Sequence, residues 1–482
     1  MKTPSKRHLF LWICITMVSL VPFLLITRQL FLRDPLIWPD EVVFVDTAKT
    51  LLATGHLTTG LFGPLVPGLA VRANWYPPLY VYLLAGWISL FGPSIESVRL
   101  LTLLLAIVAL GLMFFLCLRL FNKPWLAWLG TFLLSLDSMF GWSSRIARME
   151  MFVFVLLFGY IICFLDALKT HSRRSLLGAG IFSGLAVATH PLGVLIPASA
   201  VITLLLKQYP LRQKIRDILT ILVPTCIAVG IWFLSMWDSF HLFLVQYGLQ
   251  IARKAPLIPY PFQIFQSFLV WRLTFIFYFL LFVTIVILSL RDPKNDQKRY
   301  LAVGLALATA GILWGKENMY LLYFQPFIVL IILFLYQSIN FHIKILNNIC
   351  FTIIICITIA IYLSLNYSGY VAFGASTYDY HAFAKAIRLY IPDHSRVFIA
   401  NLPDPYFDLQ YNKTLTFYEF MTVPVDRKRY EEFIRSADIA IVNFKADPIL
   451  MEYLQKYAVP ITEVIVPDGY NTTILLLHHP KP

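Results

Sequence analysis

Long stretches without charged residues recur along the first three quarters of the chain, and they constrain the fold more than any other feature. Charged residues make up only 13% of the sequence, about half the share found in water-soluble globular proteins. Uncharged runs of about 20 residues are stable where lipid replaces water. The sequence therefore predicts a polytopic α-helical membrane protein and excludes an ordinary soluble enzyme, a disordered chain and a collagen-like fibre.

Eleven apolar segments have the composition of transmembrane helices. They are residues 8–30, 98–121, 124–143, 150–168, 175–190, 191–206, 217–237, 263–290, 300–314, 319–339 and 345–366. The first is too long for a signal peptide and lacks a cleavage pattern, which favours a retained anchor. A shorter run, 77–91, opens with two prolines, and we expect it to lie as a helix at the membrane interface.

Basic residues set the expected orientation. With residues 77–91 on the surface, the basic loops near residues 119–123, 169–174, 207–216, 291–299 and 344 all lie on the side of the N-terminus. The positive-inside rule places that side in the cytoplasm. We therefore predict a plasma (inner) membrane protein with a cytoplasmic N-terminus and a large outer loop, residues 31–97. Because topology explains the basic excess, we expect no nucleic-acid partner.

The charge balance changes near residue 367. Residues 367–482 carry 13 acidic and 11 basic residues, whereas residues 1–366 carry 13 acidic and 28 basic residues. In the tail, strand-like runs such as Arg396–Ala400 alternate with helical runs such as Arg427–Ser436. The sequence thus predicts two domains: a transmembrane domain, residues 1–366, and a small extracytoplasmic α/β domain, residues 367–482.

Two clusters of ionisable residues lie at the predicted outer ends of apolar segments, where charge is unusual. Asp40-Glu41 opens an amphipathic helix after Trp38-Pro39. Two interpretations of this pair are equally supported: it caps the helix, or one carboxylate deprotonates or orients a nucleophile. Arg145, Arg148 and Glu150 form the second cluster. Its alternative interpretation is a set of snorkelling side chains that anchor helix ends.

Three more cations share this predicted face, namely Arg72, His190 and Lys316. Taken singly, Arg72 is explained as solvated surface, His190 as a structural histidine and Lys316 as part of a short polar turn. Taken together, carboxylates and cations at headgroup depth suit a lipid substrate that carries a phosphate. Cations bind the phosphate and stabilise the charge that grows as it leaves, while a carboxylate activates the incoming hydroxyl or amine.

The motifs resemble, in their order and spacing, those of the polyprenyl-phosphate-sugar-dependent GT-C glycosyltransferases. The similarity is closest to the bacterial aminoarabinose transferases of lipid A and the protein mannosyltransferase-like enzymes, and it covers roughly residues 10–340. The motifs that carry it are Trp38-Pro39-Asp40-Glu41, Tyr76-Pro77-Pro78-Leu79-Tyr80, Arg99-Leu100, Arg148-Met149-Glu150, Thr189-His190-Pro191-Leu192-Gly193 and Gly315-Lys316.

The resemblance implies roles for individual residues. Asp40 matches the family's general base, Glu41 its acidic neighbour and Glu150 a second acidic position. The donor phosphate would contact a set of cations: Arg72, Arg145, Arg148, His190 and Lys316. Tyr76 stands where the family usually has a lysine, which indicates a substrate other than aminoarabinose. Some members use a divalent metal; Asp40, Glu41 and Glu150 carry suitable oxygen ligands, but no sequence pattern requires one.

The predicted function is transfer of a sugar from a polyprenyl-phosphate donor, with inversion, on the outer face of the membrane. A protein, a glycolipid or a cell-wall polymer would be the acceptor. The alternatives are a secondary transporter or flippase for a lipid-linked sugar, and an inactive GT-C-like scaffold. Transporters favour inverted repeats and mid-bilayer charges. The sequence shows no such repeat, and its charges lie at one predicted face, which favours an enzyme.

Overall fold

Helices form most of the chain before residue 340. The computed structural model describes residues 6–33, 35–63, 65–253, 269–292, 295–315, 322–339, 360–361, 364, 379–421, 423, 425–443, 448–465 and 471–477. Fifteen helices precede residue 340 within these ranges. They are α1 (Lys6–Ser19), α2 (Val21–Leu30), α3 (Pro39–Thr54), α4 (Leu79–Phe91), α5 (Ile95–Phe121), α6 (Pro124–Ser135), α7 (Ser138–Ser143), α8 (Glu150–Thr170), α9 (Arg173–Val187), α10 (Leu195–Leu206), α11 (Leu211–Ser235), α12 (Phe240–Arg253), α13 (Leu269–Arg291), α14 (Asp296–Gly315) and α15 (Gln325–Ile339).

Within the described ranges, four helical segments are long and apolar enough to cross a membrane, namely Lys6–Leu30, Ile95–Phe121, Glu150–Thr170 and Leu211–Ser235. Five shorter apolar helices accompany them: Leu79–Phe91, Pro124–Ser135, Pro191–Leu206, Ile276–Arg291 and Leu322–Leu335. The prediction of a helical membrane protein is confirmed, but the count of eleven spans is not. The predicted span 345–366 lies outside the described residues except for 360, 361 and 364.

The predicted continuous span 124–143 is divided into α6 and α7. Asp137 lies between the two helices, and its side chain accepts a hydrogen bond from the backbone N–H of Phe140 at 2.8 Å. A side-chain acceptor at this position caps the start of a new helix. Helix α6 alone, with 12 residues, is about 18 Å long, shorter than the hydrocarbon core of a bilayer.

The short run after Pro77-Pro78 forms α4. Its 13 residues extend about 20 Å, too little to cross the hydrocarbon core. One face is buried, including Tyr80, Leu84 and Ile88, and packs against α3. Its placement at the membrane interface stays a prediction.

The C-terminal part contains a five-stranded mixed sheet with the order β2-β1-β3-β5-β4. Strand β1 is parallel to β2 and β3, whereas β5 is antiparallel to β3 and β4. The elements in chain order are α16 (Tyr380–Arg388), β1 (Arg396–Ala400), α17 (Tyr406–Leu409), β2 (Thr416–Glu419), α18 (Arg427–Arg435), β3 (Ile439–Val442), α19 (Pro448–Tyr457), β4 (Ala458–Ile465) and β5 (Asn471–Leu477). The predicted small α/β fold is confirmed.

One hydrophobic cluster joins the sheet to the segment 31–97, the predicted first outer loop. Ile37, Leu61 and Trp75 of this segment share the cluster with Phe398 and Ile441 of the sheet. A second cluster fills the space between the apolar helices. The segment 31–97 therefore packs against the C-terminal sheet. The predicted boundary between residues 366 and 367 falls outside the described residues, and the division into two domains stays a prediction.

Candidate active site

The start of α3 presents two carboxylates in different environments. Trp38 has an extended backbone (φ −109°, ψ 144°), and Pro39 is the first helical residue. Asp40 and Glu41 therefore lie in the first turn, where the helix dipole stabilises negative charge. The Asp40 side chain is 30% exposed, whereas that of Glu41 is fully buried. Of the two, Asp40 has the carboxylate that a substrate can reach.

Glu41 is held by four hydrogen bonds. Arg99, in the first turns of α5, donates to both carboxylate oxygens at 2.9 and 2.8 Å. The backbone N–H groups of Ala147 and Trp38 donate to the same carboxylate at 2.8 and 3.1 Å. Both Arg99 and Glu41 are completely buried. Glu41 thus fastens α3 to α5 and to the turn between α7 and α8.

Arg148 connects Asp40 with Glu150. Its Nη1 pairs with an Asp40 carboxylate oxygen, and its Nη2 donates to Glu150 at 2.9 Å. Glu150 is the first residue of α8 and is buried. The planar guanidinium fixes both carboxylates in one geometry, as lysine could not. Two predicted site residues that are 110 positions apart in the sequence therefore share one cation.

Arg145 belongs to the same turn. Its side chain is 1% exposed, and its backbone N–H donates to the carbonyl of Trp142 at 3.1 Å. The neighbouring bond from Ala147 to Glu41 anchors this turn to α3. The buried guanidinium of Arg145 is thus carried by the turn that also carries Arg148.

His190 ends the segment that follows α9. Its Nδ1 accepts from the backbone N–H of Leu192 at 3.0 Å and so caps the short 3₁₀ turn Pro191–Val194. Because Nδ1 is an acceptor, a neutral ring carries its proton on Nε2. The backbone N–H of Leu79 donates to Ala188 two residues earlier, at 3.1 Å. The start of α4 is thereby joined to the His190 turn.

One predicted phosphate-binding residue, Arg72, lies away from this cluster. Arg72 contacts the junction between α11 and α12, where it donates to the Ser235 carbonyl and lies 3.8 Å from Asp238. Lys316 lies outside the described residues. The described residues therefore bring Asp40, Glu41 and Glu150 next to the turn that carries Arg145 and Arg148. Arg72 has no contact with these residues in the described part of the chain.

The donor set does not suit a divalent cation. Asp40 and Glu150 both bind the Arg148 guanidinium, and the Glu41 oxygens are occupied by Arg99 and backbone donors. The carboxylate oxygens that a divalent cation would take as ligands are therefore already bound to guanidinium or backbone donors. In the part of the chain that the structure describes, no group of three or more His, Cys, Asp or Glu residues could hold a metal.

An apolar cavity lies between α8, α10, α14 and α15. Its walls include Val153 and Leu157 of α8, Leu192 of the 3₁₀ turn, and Ala308 and Phe327 from the later helices. Val153 lies about one turn beyond Glu150, and Leu192 is two residues after His190. The cavity therefore begins next to the charged cluster and extends among apolar side chains.

Comparisons with known proteins identify the fold. Residues 76–237 match the family model for dolichyl-phosphate-mannose-protein mannosyltransferase. ArnT from Cupriavidus metallidurans, solved with undecaprenyl phosphate, superposes with a TM-score of 0.60 at 12% identity, over 99% of this chain and 100% of ArnT. The chain has the GT-C fold. The resemblance inferred from the motifs is confirmed.

A second solved structure shares the GT-C fold. The oligosaccharyltransferase AglB from Archaeoglobus fulgidus, in complex with an inhibitory peptide and a dolichol-phosphate, superposes with a TM-score of 0.56 at 11% identity. The match covers 97% of this GT-C chain and 74% of AglB. No curated protein matches the sequence.

Sequence reasoning missed the role of Arg99 in the GT-C site. The arginine lies near the start of a strongly apolar segment on the predicted outer side, where the positive-inside rule disfavours cations. That position was a signal that Arg99 is paired. Its partner was not predictable, because Glu41 is 58 residues away and no local period connects the two.

Proposed function

We propose that this protein is a membrane glycosyltransferase that moves a hexosyl or pentosyl group from a polyprenyl-phosphate donor to an acceptor. One observation carries the proposal: Arg148 holds the exposed carboxylate of Asp40 beside the buried carboxylate of Glu150. The GT-C fold and the match of residues 76–237 to a mannosyltransferase family support it. Neither of these findings favours a flippase.

Asp40 is the proposed general base. Its carboxylate is the more accessible of the pair in α3, and Glu41 is saturated with donors. Asp40 takes the proton of the acceptor hydroxyl or amine as the acceptor atom bonds to the anomeric carbon. The bond from that carbon to the phosphate oxygen breaks, and polyprenyl phosphate leaves with the electron pair. One displacement inverts the anomeric centre and needs no carboxylate nucleophile.

The cations stabilise the phosphate that leaves. Arg145 and Arg148 lie in the turn beside Asp40, and His190 offers an Nε2–H donor when neutral. Positive charge fixed before the reaction lowers the barrier, because negative charge grows on the phosphate as the bond breaks. Glu150 orients Arg148 rather than reacting. Arg72 and Lys316 remain predicted contacts to the donor phosphate.

The apolar cavity suits the first isoprene units of the lipid. Val153 and Leu192 place its near end beside the charged cluster. Burial of each apolar CH₂ contributes about 0.8 kcal/mol. Contacts with the lipid therefore contribute part of the binding free energy of the donor, in addition to contacts with its sugar. In the orientation that the basic loops favour, the N-terminus is cytoplasmic, the C-terminal sheet is extracytoplasmic, and transfer occurs on the outer face of the plasma membrane.

The decisive test is Asp40→Asn in the purified full-length protein. Detergent-solubilised enzyme would be given polyprenyl-phosphate sugars and an acceptor extract from the host membrane, and new glycosidic bonds would be counted by mass spectrometry. We expect the wild type to form product and Asp40→Asn to form none. Asp393→Asn, which changes an exposed carboxylate of the C-terminal part, is the control and should be fully active.

Two outcomes would contradict the proposal. The first is full activity of Asp40→Asn, which would remove this carboxylate from the base role. The second is movement of labelled lipid-linked sugar across proteoliposomes without a new glycosidic bond, which would identify a flippase.

A further inference from the structure

Two carboxyl groups of the C-terminal part are buried against each other. Asp404 and Glu419 are each 0% exposed, and the two carboxyl groups are close enough that each shifts the pKa of the other. Asp404 Oδ2 and both Glu419 carboxyl oxygens are buried and accept no hydrogen bond within the described ranges. Two ionised carboxylates are acceptors only and repel each other, so neighbouring buried carboxyl groups without a donor favour a proton between them. At least one proton is therefore held in this pair.

The backbones of both residues bind the outer loop that carries the active site. The N–H of Asp404 donates to the carbonyl of Ile37 at 3.0 Å, and the N–H of Glu419 donates to the carbonyl of Leu61 at 2.7 Å. Ile37 is completely buried and lies three residues before Asp40. The carboxyl pair therefore lies at the contact between the sheet and the segment that leads into α3.

The charged groups that face the pair are mostly acidic. Glu41 and Asp46 approach from α3. The hydroxyl of Tyr406 donates to Asp46 at 2.8 Å, while its backbone N–H donates to Asp404 at 2.8 Å. Lys49, the nearby cation, is bound to the Tyr406 hydroxyl and to Gln410. This cation does not contact the pair.

The surroundings therefore resist a second negative charge. Burial raises the pKa of Asp404 to about 7, and the negative charge of Glu41 adds to the rise. Burial, and then the neighbouring Asp404, raise the pKa of Glu419 well above its ordinary value. Loss of the last proton would leave two buried carboxylates side by side with no cation between them.

We propose that Asp404 and Glu419 are positioning residues that share one proton and thereby fix the segment before Asp40 against the C-terminal sheet. While the proton is present, the pair closes the contact and Asp40 keeps its place beside Arg148. When the proton is lost, the two carboxylates repel each other, the contact at Ile37 and Leu61 loosens, and Asp40 is displaced. The effect on transfer rests on the function proposed above; the shared proton itself does not.

The test is the double variant Asp404→Asn/Glu419→Gln in the full-length protein. Its two amides can hydrogen-bond to each other without a titratable proton. Thermal unfolding and, separately, kcat and KM would be measured between about pH 4 and pH 10. Glu463→Gln, an exposed glutamate on β4, is the matched control, and Glu419→Gln alone is the second variant if the double variant fails to fold.

The expected wild-type behaviour follows from the raised pKa of Glu419, which keeps the shared proton after Asp404 has ionised. A proton that the folded state binds more tightly contributes stability that is complete below the ordinary carboxyl pKa of about 4, and this contribution is lost as the pH rises through the folded-state pKa of Glu419. The wild-type melting temperature and kcat should both fall across that range, kcat by about tenfold, with KM nearly constant. The double variant should lose this pH dependence, and Glu463→Gln should keep it.

The outcomes separate this inference from the proposed function. If wild type and the double variant have the same pH dependence of melting temperature, the shared proton is refuted. If melting temperatures differ as expected but the kcat profiles coincide, the pair is structural and positions nothing. If no variant, including wild type, transfers sugar, the proposed function fails while the melting curves still decide whether the proton is shared.

Discussion

Glu41 and Arg99 form an ion pair in which neither side chain reaches solvent, with nitrogen–oxygen distances of 2.8 and 2.9 Å. The pair joins the first turn of α3 to the start of α5. Because Asp40 is the residue before Glu41, the same contact sets where the proposed base lies. The two neighbouring acidic residues therefore have different roles. Glu41 is held in place by Arg99, and this contact positions Asp40, whose carboxylate a substrate can reach.

Removal of one partner of this pair should be severely destabilising. Arg99→Met leaves the Glu41 carboxylate buried without its cation, and breaking a buried pair in this way costs about 3–5 kcal/mol. We expect a large fall in melting temperature in detergent and poor yield of folded protein. The double variant Glu41→Gln/Arg99→Met removes both charges and should recover part of the loss.

An exposed pair of the same residue types is the control. Arg427 and Glu431 form an i,i+4 pair on the surface of α18, with Arg427 58% exposed. Surface pairs contribute at most about 1 kcal/mol, so Arg427→Met should barely change the melting temperature. Equal effects of Arg99→Met and Arg427→Met would show that the buried pair does not fasten α3.

Arg148→Lys should lower turnover without unfolding the protein. A lysine keeps the charge but cannot bind Asp40 and Glu150 at once through a planar fork. Loss of one charge-assisted hydrogen bond corresponds to about 2 kcal/mol, or about thirtyfold in kcat. The same change at Arg119, which pairs with Asp166 near the opposite end of α5, should leave kcat unaltered; a similar loss in both variants would point to a general effect of lysine.

Filling the apolar cavity should weaken binding of the lipid tail. Ala308 lines the cavity, and Ala308→Phe places a ring in the space proposed for isoprene units. We expect KM to rise about tenfold or more for a long-chain polyprenyl-phosphate sugar and to change little for a short-chain analogue. Ala306 is exposed on the same helix, so Ala306→Phe is the matched control. An equal rise in KM for both donors would place the tail elsewhere.

His381 should make the contact between the C-terminal part and α5 depend on pH. Its ring nitrogens bind Glu96 at 2.6 Å and Asp408 at 2.8 Å. Partial burial lowers the pKa of His381, but the hydrogen bonds to Asp408 and Glu96 outweigh it, and the pKa is raised. The contribution to stability is thus complete below about pH 6 and is lost as the pH rises through the folded-state value.

Hydrogen exchange of α16 measures this contact. We expect protection of residues 380–388 in the wild type at about pH 6 that weakens by about pH 9, whereas His381→Gln should be insensitive across this range. His56→Gln, an exposed histidine in the outer loop, should behave like the wild type. Unchanged protection of wild-type α16 across the range would contradict the assignment.

The sequence by itself determined the class of the fold and most of the elements. Lack of charge predicted membrane helices, since a local run of apolar residues is sufficient to favour lipid over water. Alternation and helical periodicity likewise predicted β1, β3, β5 and the helices α16, α18 and α19 of the C-terminal part. The short helix α17 was not predicted. Strands β2 and β4 were missed; β2 has only four residues, and β4 contains Pro460 and is largely exposed.

Only the tertiary structure decided which charged residues act together. The motifs predicted Asp40, Glu41 and Glu150 as site residues. In the fold, Glu41 forms an ion pair with Arg99, whereas Asp40 and Glu150 both pair with Arg148. It also buried Asp404 against Glu419, which no local pattern had indicated. Short-range periodicity in the sequence predicts which apolar residues are buried. The partner of a buried charge, in contrast, is determined by contacts between segments that are distant in the chain.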